Sequence, residues 1–284
     1  MEQIRKIQIL TKGGFPKDLA PGTYESVLRS NASQVIPRLR EEIQGSISRI
    51  PSEISIFLLH RDDEDYKDYE IVKRDKIPVE ELMKAFSDGK LRKRFIFAGV
   101  SNWETARVEE TKKLWEKGYT KFIINSPFFS LMVMKRTIYP GQMQYSHEEM
   151  MDPNFQKGIK MMTYSALGGF SIFSVGWEKA KAQALEKKIS EDRYLRTVYE
   201  ALFYQENEDR YWRICNFTES YNKKAGTQYK IAQFALAYVL AHPRVDALVI
   251  GASKLNDLRE TKEALELSKK LSASDLNFLF SGNK

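Results

Sequence analysis

Short runs of β-branched and aromatic residues punctuate this chain, and between them apolar residues recur at helical spacing. The runs predict strands over 7–11, 54–59, 95–100, 122–125, 160–164 and 247–250. Several are apolar at consecutive positions, the pattern of a parallel strand covered on both faces. Val35, Ile36, Leu39, Ile43 and Ile47 predict a helix over 35–50. Further helices are predicted over 79–87, 104–117 and 230–241, and a last one carries Leu255, Leu258 and Leu265. Strand followed by helix, repeated, implies a parallel sheet. The stretch 132–154 is polar, Met-rich and weakly patterned, and reads as a long loop. The stretch 171–227 is aromatic and charged, with helical segments near 178–188 and 194–204, and reads as an insertion after the fifth strand. No composition break divides the chain, so 1–284 is expected to be one domain.

Composition narrows the class. A chain of 284 residues, 42% hydrophobic and 29% charged, carries enough apolar surface to fold. Its length suits one (β/α)8 barrel, which takes about 250 residues, yet six strand–helix units are counted rather than eight. The longest uncharged apolar run is far short of a membrane span, and the first residues carry no signal pattern. The expected location is cytoplasmic, with no membrane partner. Cys215 is the only cysteine, which excludes an internal disulfide, and with three histidines no metal site is expected. The net charge of +7 is dispersed among acids, so nucleic acid is not an expected partner.

Familiar chemical motifs are missing. No G-x-G-x-x-G or phosphate loop occurs, and His147-Glu148-Glu149-Met150-Met151 lacks the second His of a zinc protease. Three strands instead end in polar or ionisable residues. Lys12 follows the first, His60 the second, and Ser101 and Asn102 the third. In a parallel barrel such ends converge on one mouth, where an ammonium and an imidazole suit polarising a carbonyl. Each has a plainer reading too. Ser101 and Asn102 could cap the helix beginning near Trp103, and His60 could sit in an ion network of Arg61, Asp62 and Asp63.

Together these residues resemble the aldo-keto reductase family. The resemblance is carried by Thr11-Lys12-Gly13-Gly14, Leu58-Leu59-His60-Arg61-Asp62-Asp63 and Gly99-Val100-Ser101-Asn102-Trp103. It continues through Ser126-Pro127-Phe128-Phe129-Ser130-Leu131, Tyr164-Ser165-Ala166-Leu167-Gly168 and Gly251-Ala252-Ser253 to Leu258-Arg259-Glu260. It implies an α/β barrel of the (β/α)8 TIM-barrel type, incomplete, with six of eight units and the first two strands lacking. It implies reduction of a small-molecule carbonyl compound with NADPH or NADH. Lys12 and His60 match catalytic positions. Ser101 and Asn102 match residues that hold the nicotinamide carboxamide, Ser126 falls where many members have a Gln doing similar work, and Tyr164 matches the aromatic that stacks on the nicotinamide ring. Ser253, Lys254 and Arg259 fall in the adenosine-phosphate site. Asp257 there would repel a 2′-phosphate while the neighbouring cations would attract it, which leaves both cofactors open. No residue matches the family's catalytic Asp and Tyr, and losing a general acid costs about 10²–10⁴ in rate. The resemblance therefore leaves a second reading, an inactive homologue acting as a binding or scaffold protein, or one half of a hetero-oligomer. Sheet edges left unpaired would favour homo- or hetero-oligomers.

Overall fold

In the computed structural model, residues 8–28, 32–50, 53–68, 70–190 and 193–283 are described. The chain divides into two compact units. The first comprises Met1–Ser126, Pro140–Met143 and Gln156–Lys160; the second comprises Pro127–Tyr139, Gln144–Phe155 and Met161–Lys284.

The first unit is built on parallel strands β1 (Ile9–Gly13), β4 (Ile54–Leu59), β7 (Phe95–Val100) and β8 (Phe122–Asn125). β1 pairs with β4, β4 with β7 and β7 with β8, all parallel. The strand expected over 7–11 begins at Ile9; Ile7 lies outside the described residues. Helices α1 (Ala32–Arg49), α2 (Val79–Phe86) and α3 (Thr105–Lys113) turn their apolar stripes inward. Val35, Leu39 and Ile43 of α1 join Leu82, Met83 and Phe86 of α2 in a core with Phe57, Phe95, Trp103 and Phe122. Phe86 and Phe122 meet edge-on at 5.0 Å between centroids, and Phe57 packs tilted against Phe86 and Phe95. β4 is almost wholly buried, as its continuous apolar run predicts. β7 is not, since Ile96 and Phe97 are 46% and 44% exposed. A closed barrel covers such side chains with layers drawn from all eight strands.

A second sheet in this unit has no counterpart in the hydrophobic pattern. Strands β2 (Lys17–Ala20), β3 (Thr23–Glu25), β5 (Asp65–Lys67) and β6 (Glu70–Val72) pair antiparallel in the order β2-β3-β5-β6. They are short, largely exposed and polar.

The second unit holds β9 (Lys160–Tyr164), all but its first residue, paired parallel with β10 (Ala247–Val249). The long loop expected over 132–154 contains the one-turn helix α4 (His147–Met151), closed by a capping box between Ser146 and Glu149. After β9 come α5 (Ile172–Val175), α6 (Trp177–Glu186), α7 (Arg193–Leu202) and α8 (Gln205–Ala225). α6 and α7 stand where helices were expected, and α8, which fills the rest of that stretch, is longer than either. Trp177, Phe203 and Tyr211 pack together between them. α9 (Ile231–Leu240) is apolar nearly all round and correspondingly buried. α10 (Leu255–Ser268) follows β10, and α11 (Ala273–Ser281) ends the described chain.

Among the described residues, six parallel strands interspersed with helices make an α/β fold of the TIM-barrel type, incomplete. No helix among the described residues is long and apolar enough to cross a membrane.

Candidate functional site

The parallel register of the first unit brings strand ends into line. Gly13 pairs with Leu59, Leu59 with Val100, and Val100 with Asn125. The ladder continues one residue further: His60 N–H donates to Gly13 O at 2.8 Å, Ser101 N–H to Leu59 O at 2.8 Å, and Ser126 N–H to Val100 O at 2.9 Å. His60, Ser101 and Ser126 therefore occupy equivalent positions on adjacent strands. Gly13 has no room for a side chain, because a Cβ would meet the Phe57 ring at 2.6 Å. That close approach seats β1 against β4 in a register that pairs Lys12 with Leu58, two residues before His60.

Lys12 Nζ donates to Ser101 Oγ at 2.9 Å and to Ser126 Oγ at 3.2 Å. Ser101 Oγ–H in turn donates to Ser126 O at 2.7 Å. Asn102 has φ 60°, which folds its amide back: Nδ2 donates to His60 O at 3.3 Å and to Ser101 Oγ at 2.9 Å, while Oδ1 accepts from Met143 N–H at 3.1 Å. Ser101 thus accepts twice and donates once, and both ends of the Asn102 amide are engaged. All five sequence-predicted residues of this unit (Lys12, His60, Ser101, Asn102 and Ser126) come together. Two of them, Ser101 and Asn102, spend their polar atoms on the protein itself. Neither caps α3, whose N-cap is Glu104.

Electrostatics at this cluster follow from burial and one neighbour that sequence reasoning did not assign to the site, Arg61. Burial, then the Arg61 charge, push the Lys12 ammonium down to about 8. Burial, then Arg61, then Lys12, push His60 down to about 3, so its imidazole is neutral across the physiological range. Phe15 packs on the His60 ring at 5.1 Å, and Arg61 lies over Phe15 at 5.1 Å. Arg61 Nε donates to Pro140 O at 2.6 Å and Nη1 to His60 O at 2.8 Å.

The ion network expected around His60 forms from its chain neighbours instead. Asp63 is fully buried and accepts from Ile77 N–H at 2.7 Å and from Arg74 at 3.1 Å. Burial works to raise its pKa, but the Arg74 and Ile77 hydrogen bonds outweigh that and hold it below the ordinary range. Asp62 is flanked by Arg107 at 2.7 Å and Lys76 at 3.1 Å. The Asp62-Asp63 pair is thereby committed to anchoring the loop after β4, which fixes His60 at its start.

In the second unit, a cleft of about 1000 Å³ opens where β9 and β10 end. Tyr164 and Ser253 both line it, so two of the expected cofactor residues share one cavity. Tyr164 meets Phe128 edge-on at 5.9 Å. The residue after it, Ser165, is held at φ 57°, a strained backbone for a non-glycine residue. Gly169, at φ 75°, lets the chain turn against the cleft without a side chain. Lys254 and Arg259, expected beside Ser253, are exposed and not among the lining residues. The residue that occupies the start of α10 is Asp257. Its Oδ2 accepts from Ser253 N–H at 3.0 Å, Ser253 Oγ–H at 3.2 Å and Lys254 N–H at 3.0 Å.

Its volume, an aromatic ring at a strand end, and hydroxyl and amide groups on the walls give it the size and polarity of a small-molecule cavity. Among the described residues, no group of three or more His, Cys, Asp or Glu side chains could hold a metal ion. No curated protein matches the chain. The model of the Aldo/keto reductase family matches residues 1–279, and the chain belongs to that family.

Proposed function

We propose that the chain is an NAD(P)H-dependent oxidoreductase that reduces a small carbonyl compound, an aldehyde, ketone or sugar-like substrate. The observation that carries this reading is the half-buried Lys12 ammonium, hydrogen-bonded to Ser101 and Ser126, with a neutral imidazole at His60. A cation of this kind, desolvated and held by two hydroxyls, stabilises the negative charge that develops on a carbonyl oxygen during reduction. His60, being neutral, offers an N–H to the same oxygen without adding charge. Lys12 holds a proton at Nζ up to about pH 8 and is placed to surrender it to the forming alkoxide. Tyr164 offers a flat apolar ring and Ser253 a hydroxyl to a dinucleotide in the cleft. When bound, the reduced nicotinamide supplies the hydride.

A specific observation favours a second reading, a homologue that binds without turnover. Ser101 and Asn102, which by family resemblance hold the nicotinamide carboxamide, are saturated by protein partners. Titration with NADH and NADPH, followed by tryptophan fluorescence with Lys12→Ala and Tyr164→Ala as controls, tests the first step. Saturable binding weakened by Tyr164→Ala supports the dinucleotide reading, and no binding by a chain shown folded by circular dichroism overturns it. Loss of nicotinamide absorbance against a panel of carbonyl compounds then separates an enzyme from a binding protein.

A further inference from the structure

His60 is held from three sides, and Arg61 stands behind two of them. The His60 N–H donates to Gly13 O. Its carbonyl accepts from Arg61 Nη1 at 2.8 Å and from Asn102 Nδ2 at 3.3 Å. Its ring packs on Phe15 at 5.1 Å, and the Arg61 guanidinium lies over that same Phe15 ring at 5.1 Å. Arg61 is only 3% exposed, so this cation has given up its water to sit here. Its Nε donates to Pro140 O at 2.6 Å, which ties in a segment far along the chain. That segment comes close because residue 141 is a glycine at φ 62°: a Cβ there would meet Tyr66 Oη at 2.1 Å and Arg61 Cδ at 2.9 Å. Met143 N–H then donates to Asn102 Oδ1 at 3.1 Å. Residues 140–143, Arg61 and Asn102 thus close a ring of contacts around the His60 carbonyl.

We infer that Arg61 is a positioning residue of the proposed carbonyl site, one that aims the His60 imidazole by bracing both the His60 carbonyl and the Phe15 ring. A guanidinium suits this task, because it donates in two directions within one plane while its face stacks on an aromatic ring. An ammonium is a point charge with no face to stack. The brace has an electrostatic side. Among the described residues, the charges that act on His60 are Arg61 beside it and Lys12 from β1, and both oppose its protonation. The acidic residues that follow in sequence are engaged elsewhere: Asp62 by Lys76 and Arg107, Asp63 by Arg74, and Glu64 by Lys76. The groups at the other strand ends, Ser101, Asn102 and Ser126, are uncharged. Aim matters because an N–H that polarises a carbonyl is effective only where it meets the oxygen in reacting geometry. The inference rests on the proposed carbonyl reduction for its catalytic consequence, and the first readout below does not depend on turnover.

The test follows the three histidines by nuclear magnetic resonance of the full chain labelled at histidine Cε1. His60 is assigned by the signal lost in His60→Gln. His147 and His242, both in the second unit, serve as internal controls. Arg61→Lys keeps the charge and removes the planar fork. Phe15→Leu removes the ring at a position 39% exposed, where the fold tolerates the change. We expect the wild-type His60 ring to be rigid on the picosecond-to-nanosecond scale, with an order parameter of about 0.85, and to fall below about 0.6 in both variants. His147 and His242 should not change. In the reduction assay, Arg61→Lys should lower kcat about tenfold or more and leave KM for the dinucleotide unchanged. An equally rigid His60 in the folded variants overturns the inference. So does loosening of all three histidines together, which would make Arg61 a support of the fold at large. If Arg61→Lys melts early on heating, Phe15→Leu decides by itself. No turnover by a folded wild type overturns the proposed function, and the His60 order parameter still decides the brace.

Discussion

Asp63 illustrates how much of this chain's polar chemistry is structural. Its carboxylate is fully buried and accepts from one backbone N–H and two guanidinium nitrogens. Asp63→Asn removes the charge while keeping the volume, which leaves Arg74 short of a partner at a half-buried position. Breaking a buried pair from one side costs about 3–5 kcal/mol. Asp65, which also binds Arg74, softens the loss, so a decrease of about 2–3 kcal/mol in urea denaturation is expected. Lys12 gives the contrasting case, a residue whose environment works against its charge. Its folded pKa of about 8 lies below the 10.5 of a free lysine. Between those values the unfolded chain binds more protons, so burying Lys12 as an ammonium costs stability below pH 8, and that cost fades as pH rises. The catalytic consequence runs the other way. If Lys12 polarises the carbonyl, the reduction rate falls as pH rises through about 8. In Lys12→Arg that fall disappears from the pH–rate profile, because a guanidinium does not titrate there.

Among the elements, those that were legible in the sequence owe it to burial. β4, β7, β8 and β9 are apolar runs whose bounds match the pattern, and α1 and α2 carry clean apolar stripes over the core. β2, β3, β5 and β6 were not legible. They bury little, so nothing enforces alternation, and β3 finds β5 some forty residues further along the chain. Long-range pairing of short polar strands leaves no local signal. The site divides in the same way. Strand ends announced Lys12, His60 and Ser101, since their residue types are unusual after apolar runs, whereas Ser126 was named only by the family resemblance. Saturation of Asn102 depends on a left-handed backbone and on Met143, and the filling of the α10 terminus depends on a side-chain rotamer. Neither is a property of spacing. α1 offers a prediction of its own. Pro37 lies inside this helix on an exposed position, beyond the first turn where proline is tolerated. It cannot donate to the carbonyl four residues back, that of Ser33. A proline in a helix interior is less favourable than alanine by about 3 kcal/mol. Pro37→Ala is expected to raise the melting temperature, with a gain of about 1–3 kcal/mol once unfolded-state entropy is counted. An unchanged or lower melting temperature would show that the proline is needed to fit α1 to the core.

At the scale of the molecule, two histidines, one in each unit, resist protonation for separate reasons, and together they set the response to acid. His60 is depressed to about 3 by burial and by the Arg61 and Lys12 charges. His242 is depressed to about 3 by burial, which outweighs its backbone hydrogen bond to Tyr238, and His147 adds to the depression. His242 sits in a closed chain of polar contacts: its Nδ1 lies 2.7 Å from Tyr238 O and its Nε2 3.0 Å from His147 Nδ1, while His147 Nδ1 lies 2.8 Å from Tyr238 Oη and His147 Nε2 2.9 Å from Asn277 Oδ1. Both imidazoles titrate near 6.5 when the chain unfolds, so between 6.5 and 3 the unfolded state binds more protons. Stability is then complete above pH 6.5 and falls as pH drops toward 3, by about 1.4 kcal/mol per pH unit for each site. Urea melts at a series of pH values should show that slope. His242→Gln should reduce it by about half below pH 6, whatever its effect on absolute stability. A slope equal to the wild type's in that variant would mean that His242 does not carry its share of the acid response.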